Sequence, residues 1–369
     1  MKITSVEAVL TEHVPVLVRM ETDVGLVGVG ECLADMMAMA KAAVEEVGRY
    51  LVGKDPRQIE HHWQAMYRDM FWRGGPAFMA AISGCELAMW DLLGKSLGAP
   101  VYQLLGGKCR DRVRMYGHIG GRTPDELARS CEQALRGGLT AVKFTPTEQV
   151  GNLDSPAVVK LAGAKMKAAR EVAGDEVDVL VDMHGRLSPA MAILIAEELA
   201  PYRPFFLEEP CLPENADVLA RVARAVKVPI ATGERLFTKF AFREVLEKQA
   251  AAVLQPDPSV CGGILEAKKI AAMAEAHYVS VAPHAPYGAV LLTACLHLDF
   301  CTPNFLIQEF ISLGQGELRQ PIAMENGYCV APEGPGWGIE VDWEAIAQRP
   351  YKPRTRPTFR HRDGSVADW

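Results

Sequence analysis

The sequence lacks the features that mark membrane, secreted and nucleic-acid-binding proteins. Its 369 residues carry 39 lysines and arginines against 46 aspartates and glutamates, and the resulting net charge of −7 predicts no basic surface for nucleic acid or anionic lipid. No uninterrupted apolar run approaches the roughly 18 residues that a membrane-spanning helix needs. The first twenty residues contain no long apolar stretch with a small-residue cleavage site, so we expect no secretory leader.

Disulfide, zinc and dinucleotide signatures are missing as well. The nine cysteines include no Cys-x-x-Cys pair, and their odd number favours reduced thiols in a cytoplasmic protein over a disulfide framework or a structural zinc. Gly28-Val29-Gly30 resembles the start of a dinucleotide-binding loop, but Leu33 stands where the third glycine is needed. We therefore predict no nucleotide cofactor.

What is present is an ordinary globular composition, 49% hydrophobic, in a chain long enough for two domains. In residues 1–111, two short strands flank a turn at 23–25 and are followed by helical patterns at 40–53 and 79–98. Strands followed by helices predict a separate α+β domain at the N-terminus.

From residue 112 onward, eight apolar strand candidates alternate with alanine-rich helical stretches. From the third to the eighth, the polar residues that end them recur every 23 to 27 positions, enough for one strand, one helix and two short loops. This rhythm predicts a TIM-type (β/α) barrel over residues 112–314. Residues 315–369 lose the rhythm and are predicted to form a tail that packs on the N-terminal domain. The polar strand-end residues are Lys143, Asp182, Glu208, Glu234, Asp257, His284 and Glu309.

Three of these residues form a candidate metal site. Asp182, Glu208 and Glu234 end three successive strands, whose carboxyl ends meet at the mouth of a barrel. Any one acid at a strand end could simply cap the next helix, but three at a spacing of 26 residues are harder to explain that way. Carboxylates gathered together raise one another's pKa unless a cation binds them, and an all-oxygen ligand set favours Mg²⁺, with Mn²⁺ as a substitute.

Two histidines are predicted to lie at the same mouth. His184 stands two positions after Asp182, so both would point to one side of a strand. His284 ends the seventh strand, and Asp257 ends its neighbour. A carboxylate beside an imidazole fixes its tautomer and raises its basicity, as a general base requires.

Together these groups suit proton abstraction next to a carboxylate. A metal stabilises the negative charge that builds on the carboxylate oxygens, one histidine removes the proton, and a second protonates a leaving hydroxide. The sum is elimination of water from a hydroxy acid. Epimerisation of such an acid stays open, because His184 could serve on the second face, and so does a binding protein without turnover.

The chain resembles the enolase superfamily, within it the mandelate racemase-like group, and most of all the galactonate dehydratase-like sugar-acid dehydratases. The resemblance extends over essentially the whole chain. It rests on the stretches FWRGGP, AMWDLLGKSLGAPVYQLLGG, VDMHGRLSP, FLEEP, GERLFT, LQPD, APHAP and CTPNFLIQE.

The resemblance implies a modified (β/α)₇β barrel, capped by the N-terminal domain with the tail added to it. It implies that Asp182, Glu208 and Glu234 bind Mg²⁺ and that Glu209 supports them. The group uses a histidine or lysine base, here His284 paired with Asp257, while His184 would act as the acid. Glu309 would bind the substrate carboxylate opposite the metal, and a cap loop at 11–20 would close over the sugar.

Two departures from the resemblance bear on substrate and reaction. Racemases of the group carry Lys-x-Lys at the second barrel strand, whereas this chain has Lys143-Phe144-Thr145. The absence of the second lysine favours dehydration over racemisation. The segment that follows Glu309 also differs from galactonate dehydratases, which leaves the sugar acid open.

The remaining expectations concern the substrate and its partners. Lys143, Arg186 and Arg73 are candidates either for substrate binding or for structural ion pairs. The predicted partner is a small sugar acid, with D-galactonate or D-gluconate first. No nucleic acid or membrane is expected, and the family tendency implies a homo-oligomer.

Overall fold

The N-terminal part of the chain forms a three-stranded antiparallel sheet covered by helices. The computed structural model of the protein describes residues 1–11, 15–33, 36–353 and 357–369, and the sheet order is β1-β2-β3. The strands are β1 (Ile3–Val9), β2 (Val16–Thr22) and β3 (Val27–Cys32), and the helices are α1 (Met37–Leu51), α2 (Ile59–Arg68), α3 (Pro76–Leu97) and α4 (Val101–Leu104).

Helix α3 packs directly on β3 because both elements carry glycine at the contact. A Cβ atom at Gly30 would lie 2.0 Å from the carbonyl oxygen of Gly84, and one at Gly28 would lie 2.3 Å from that of Ala88. Neither approach is possible for a residue with a side chain. The glycine pair therefore serves helix packing, in agreement with the prediction that it forms no dinucleotide loop.

Among the described residues, α3 is also the one helix whose length and composition would allow it to cross a membrane. Its sequence is not an uninterrupted apolar run, because it contains Glu86 and Asp91. In its most apolar stretch of 18 residues, 83% is buried inside the protein. The Glu86 carboxylate accepts hydrogen bonds from the backbone N–H groups of Ile264 and Leu265, at 2.9 and 3.0 Å. Helix α3 is therefore a core helix that ties the cap to the rest of the protein.

Eight parallel strands follow and close into a barrel, which confirms the predicted (β/α)₇β fold. They pair in chain order from β4 to β10, and β11 returns to pair with β4. The gap between β10 and β11 is closed by a parallel bridge from Val281 to Phe305. The strands are β4 (Val113–His118), β5 (Ala141–Phe144), β6 (Asp178–Asp182), β7 (Leu207–Glu208), β8 (Ile230–Thr232), β9 (Val253–Leu254), β10 (Ser280–Val281) and β11 (Gln308–Glu309).

One helix joins each pair of successive barrel strands. Their starts carry standard signals: Thr123 and Glu126 form a capping box at α5, and Ser188 followed by Pro189 begins α7. The helices are α5 (Pro124–Arg136), α6 (Pro156–Ala173), α7 (Pro189–Leu199), α8 (Ala216–Ala225), α9 (Thr238–Glu247), α10 (Ile264–Ala276) and α11 (Ala289–Phe300), with a 3₁₀ turn at Ala200–Tyr202.

Residues 315–369 contact the barrel as well as the cap. The hairpin of β12 (Met324–Glu325) and β13 (Tyr328–Cys329) extends the barrel sheet, since β13 pairs antiparallel with β4. The indole N–H of Trp337 then donates to the carbonyl of Val29 in the cap, at 2.8 Å. A short helix, α12 (Trp343–Ala347), follows. The tail thus packs on the barrel in addition to the cap, whereas the sequence predicted packing on the cap alone.

The cap loop predicted at 11–20 is only partly described by the structure. Residues 12–14 lie outside the described residues, and Val16–Met20 belong to strand β2 rather than to a loop. The cap residues that line the cavity at the barrel mouth come instead from the segment after β3 and the start of α3, namely Leu33, Met36 and Pro76.

Candidate active site

The three predicted metal ligands lie together at the mouth of the barrel. Asp182 is the last residue of β6 and Glu208 the last of β7, while Glu234 lies two residues beyond β8. One carboxylate oxygen from each can be chosen so that the three lie within 4.8 Å of one another. Among the described residues this is the one group of three acidic, histidine or cysteine side chains with such spacing.

The charge balance of this triad fits a divalent cation. Burial raises the pKa of Asp182 to about 7 and that of Glu208 to about 8, because neither carboxylate can be hydrated. Within the described part of the chain, Glu208 Oε2 is buried and has no hydrogen-bond partner. A bound cation would give this oxygen a partner and favour the ionised carboxylates. Oxygen-only ligands of this kind suit Mg²⁺ or Mn²⁺.

Lys143 supplies one fixed positive charge beneath the triad. Its Nζ atom lies 2.7 Å from Glu208 Oε1, 2.7 Å from Glu309 Oε1 and 3.7 Å from Asp182 Oδ2. Burial favours the neutral amine, but the carboxylates of Glu208 and Glu309 outweigh it and raise the pKa of Lys143 well above its usual value. Lys143 is thus an ion-pair partner that also lines the cavity, and its contact with the substrate stays a prediction.

Replacing Lys143 with methionine is expected to lower the free energy of unfolding by about 3–5 kcal/mol. The substitution keeps the length of the side chain but leaves Glu208 and Glu309 buried without their cation. Urea unfolding of the purified variants measures the change. The matched control is Lys160→Met on helix α6, where the lysine is exposed. A Lys143→Met protein as stable as the control would show that the ion pairs contribute nothing net.

His284 is held by a carboxylate on each side. Its Nδ1 atom lies 2.9 Å from Asp257 Oδ2, and its Nε2 atom lies 3.2 Å from Glu234 Oε2. Burial would lower the pKa of His284, but the carboxylates of Glu309 and Glu234 raise it well above its ordinary value. Burial would likewise raise the pKa of Glu234, yet His284 holds it at about 2. The Asp257 contact leaves Nε2 as the ring nitrogen that faces the triad.

His184 lies on the other side of the triad, beside Asp182. Its Nε2 atom is 3.2 Å from Asp182 Oδ2, and its Nδ1 atom is 3.3 Å from the hydroxyl of Thr145. Strand β6 ends at Asp182, and His184 has a φ of 49°, so the strand alternation used to predict its position does not apply. The turn instead lets the backbone N–H of His184 donate to Asp182 Oδ1 at 2.8 Å. Burial lowers the pKa of His184 to about 3, which keeps the free ring neutral.

Glu309 closes the third side of the site. Its Oε2 atom accepts a hydrogen bond from the backbone N–H of Ala285 at 3.0 Å, and its Oε1 atom lies 2.7 Å from His118 Nε2. Burial would raise the pKa of Glu309, but Lys143 and His284 hold it well below the usual range. His118 lies at the end of β4 and lines the cavity.

Most of these side chains line one cavity of about 560 Å³, whereas Glu208 and Asp257 are fully buried and do not line it. Sequence reasoning missed Trp369 and Arg235, both of which line the cavity. Glu209 Oε2 accepts from Arg235 Nη2 at 2.9 Å and so supports the residue next to Glu234. No periodic pattern in the sequence marks either contribution. The residues that line the cavity are Leu33, Met36, Pro76, His118, Lys143, Asp182, His184, Glu234, Arg235, Phe237, Val260, His284, Pro286, Tyr287, Glu309, Ile311 and Trp369.

Arg73 and Arg186, which the sequence left open between substrate binding and structural ion pairs, do not line this cavity. Arg73 is exposed, and its guanidinium donates to the carbonyls of Met70 and Arg68, both at 3.3 Å. Arg186 is absent from the cavity wall, and its Nε atom donates to the carbonyl oxygen of Trp369 at 2.6 Å. Both arginines therefore bind backbone carbonyls, and a contact of either one with the substrate stays a prediction.

Comparison with known proteins agrees with this geometry. Residues 2–106 match the mandelate racemase / muconate lactonizing enzyme N-terminal domain, and residues 126–345 match the enolase C-terminal domain-like family. The chain belongs to the mandelate racemase / muconate lactonizing enzyme family of the enolase superfamily. The family resemblance drawn from the motifs is thereby confirmed.

Relatives in this family align with the chain over nearly its whole length. A protein of Ralstonia nicotianae named D-galactonate dehydratase is 44% identical over 95% of both chains, and one of that name from Variovorax paradoxus is 42% identical over 100% of both. The solved mandelate racemase/muconate lactonizing enzyme of Sulfitobacter sp. has a TM-score of 0.91 at 37% identity, covering 96% of this chain and 97% of that one.

Proposed function

We propose that this protein is a Mg²⁺-dependent dehydratase that converts a C5 or C6 aldonate into a 2-keto-3-deoxy sugar acid. D-galactonate is the first candidate substrate and D-gluconate the second. The observation that carries the proposal is a carboxylate triad flanked by His184 at Asp182 and by His284 at Glu234. These two carboxylates and both histidines line one cavity. Relatives named D-galactonate dehydratase, 42–44% identical to this chain, support the reaction class.

Asp182, Glu208 and Glu234 are the proposed Mg²⁺ ligands, with Mn²⁺ as a substitute. The bound cation would supply positive charge to the substrate carboxylate and stabilise the negative charge that forms when the neighbouring proton leaves. Lys143 favours the ionised forms of Glu208 and Glu309 and holds both side chains in place, through contacts of 2.7 Å to each. Glu309 would hydrogen-bond the substrate carboxylate on the side away from the triad in its protonated form, which the negative charge of that carboxylate favours.

His284 is the proposed base. Asp257 holds Nδ1 at 2.9 Å, so Nε2 faces the cavity. A cation bound at the triad would offset the charge of Glu234 that raises the pKa of His284, and the neutral ring would then accept the C2 proton on Nε2. The Oδ1 atom of Asp257 is itself fixed by the backbone N–H of Ser259 at 2.7 Å. The orientation of the imidazole is therefore set before the substrate arrives.

His184 is the proposed acid. The ring is neutral in the free protein, so the acid would be the imidazolium form, which the negative charge of a bound sugar acid favours. In that form it would donate a proton to the C3 hydroxyl, the C3–O bond would break, and the oxygen would leave as water. The enol that remains tautomerises to the 2-keto-3-deoxy acid. Thr145 occupies the position where racemases of the group carry the second lysine. Its hydroxyl lies 3.3 Å from Nδ1 of His184, the proposed acid.

Incubation of the protein with Mg²⁺ in D₂O against a panel of C5 and C6 sugar acids tests the proposal. A 2-keto-3-deoxy product, detected as its semicarbazone, is expected from one acid above the others. Deuterium at C2 of recovered substrate without any keto acid would instead assign an epimerase, the alternative that two imidazoles at the triad would also permit. A panel without product or exchange would contradict both enzyme assignments.

The proposal includes a cytoplasmic enzyme acting on a small molecule. All nine cysteines lie in the described part of the chain as free thiols, and eight of them are buried or sheltered from solvent, which supports a reducing compartment. The homo-oligomer implied by the family resemblance stays a prediction, and size-exclusion chromatography with light scattering would measure it.

A further inference from the structure

Residues 357–369 form a small hairpin that carries Trp369 to the mouth of the barrel. Arg360 and Val366 form an antiparallel bridge, and the N–H of Ala367 donates to the carbonyl of Phe359 at 2.9 Å. The turn between them contains Gly364, which has a φ of 87°, a conformation that favours glycine. The hairpin is therefore stabilised by its own backbone hydrogen bonds.

Trp369 contacts two residues that follow strand β6. Its indole meets the ring of His184 edge-on, with the ring centroids 5.0 Å apart and an interplanar angle of 67°. The guanidinium carbon of Arg186 lies 5.2 Å from the centre of the indole, while its Nε atom donates to the Trp369 carbonyl at 2.6 Å. Arg186 also donates to the carbonyl of Thr147 at 3.3 Å, which anchors it to the loop after β5.

The indole is placed to contact a ligand. Trp369 lines the catalytic cavity, yet 56% of the residue is exposed, so much of its surface is open for a bound molecule to cover. An indole offers an apolar face for C–H groups and one N–H donor for a hydroxyl. This combination matches the polyhydroxy chain of a sugar acid better than it matches a charged or wholly apolar ligand.

We propose that Trp369 determines chain-length specificity by packing against carbons C5 and C6 of the sugar acid, and that Arg186 is the residue that positions it. The inference rests on the proposed function, which places the substrate carboxylate at the triad and C3 beside His184. The chain beyond C3 then extends away from the triad, and Trp369 is in contact with His184 on that side. A C4 acid ends before it reaches the indole.

Steady-state kinetics of Trp369→Ala, with Mg²⁺ present, tests this assignment. The KM for D-galactonate is expected to rise about tenfold or more, while kcat changes less than about threefold. The inhibition constant of D-erythronate, a C4 acid, should stay at the wild-type value. Trp369→Phe should recover most of the loss, and Arg186→Gln should shift KM in the same direction, with no further loss in the double variant.

The control is Val366→Ala, on the same hairpin, where the valine is 69% exposed and does not line the cavity. An unchanged KM in Trp369→Ala would overturn the inference while leaving the proposed function intact. An equal weakening of C4 and C6 acids would overturn it too, because it would indicate general damage to the site. Wild-type protein that forms no keto acid from any aldonate would overturn the proposed function, and this inference with it.

Discussion

Glu234→Gln is expected to lower Mg²⁺-dependent turnover by about 10³-fold or more, together with a large loss of Mg²⁺ affinity. His284 holds the pKa of Glu234 at about 2 although burial would raise it, so the carboxylate is ionised at neutral pH. Glutamine keeps the shape of the side chain but removes the charge that a cation needs. Titration calorimetry with Mg²⁺ and assays for the keto acid measure the two losses separately.

The matched control is Glu247→Gln, an exposed glutamate on helix α9 that pairs only with Arg243 at 3.6 Å among the described residues. It should bind Mg²⁺ and turn over substrate as the wild type does. Removal of metal with EDTA should abolish wild-type activity, and Mg²⁺ or Mn²⁺ should restore it. Full turnover by Glu234→Gln, or activity that survives EDTA, would contradict the metal assignment.

The position of the triad could be predicted because a barrel brings distant residues together by a rule. Apolar runs that end in an acid mark the carboxyl ends of strands, and a spacing of about 25 residues marks consecutive strands. Strands β6 and β7 end at Asp182 and Glu208 as this argument requires. Asp257 and His284 lie three residues beyond their strands, yet they still reach the site because the loops begin at the same edge.

The place of His184 was predicted correctly for the wrong reason. The sequence suggested strand alternation, whereas the strand ends at Asp182 and His184 adopts a φ of 49°. Strained backbone of this kind is common at active sites, where surrounding contacts compensate for its cost. Here the backbone N–H of His184 donates a hydrogen bond to Asp182 Oδ1 at 2.8 Å, which helps to offset the cost of this conformation. A periodic pattern cannot reveal such a turn, since it depends on contacts made after folding.

Lys143 and Trp369 show what the sequence leaves undetermined. The nearest partners of Lys143 are Glu208 and Glu309, which are 65 and 166 positions away in the chain. The sequence alone therefore could not decide whether Lys143 binds substrate or forms structural ion pairs. Trp369 reaches His184 by way of a hairpin in a turn-rich segment without helical or strand periodicity. Side chains delivered by irregular segments carry no repeating signal, and their positions follow from tertiary packing alone.

Substitution of the two histidines is expected to affect C2 proton exchange and dehydration differently. His284→Asn is expected to lose both deuterium exchange at C2 and dehydration, by about 10³-fold to 10⁴-fold, because His284 is the proposed base for the C2 proton. His184→Asn is expected to keep C2 exchange while dehydration falls by a similar factor, because only departure of the C3 hydroxyl needs the acid. Mass spectrometry of substrate recovered from D₂O measures exchange, and the semicarbazone assay measures dehydration.

The geometry explains why the two losses should separate. His284 is oriented by Asp257 at 2.9 Å and faces Glu234, whereas His184 contacts Asp182 and Thr145 on the other side of the triad. Each asparagine removes one imidazole and leaves the opposite one with its own partners. Loss of exchange in His184→Asn would mean that both rings act on one proton, as in an epimerase. Retained exchange in His284→Asn would move the base to another group and leave the Asp257 contact without a catalytic role.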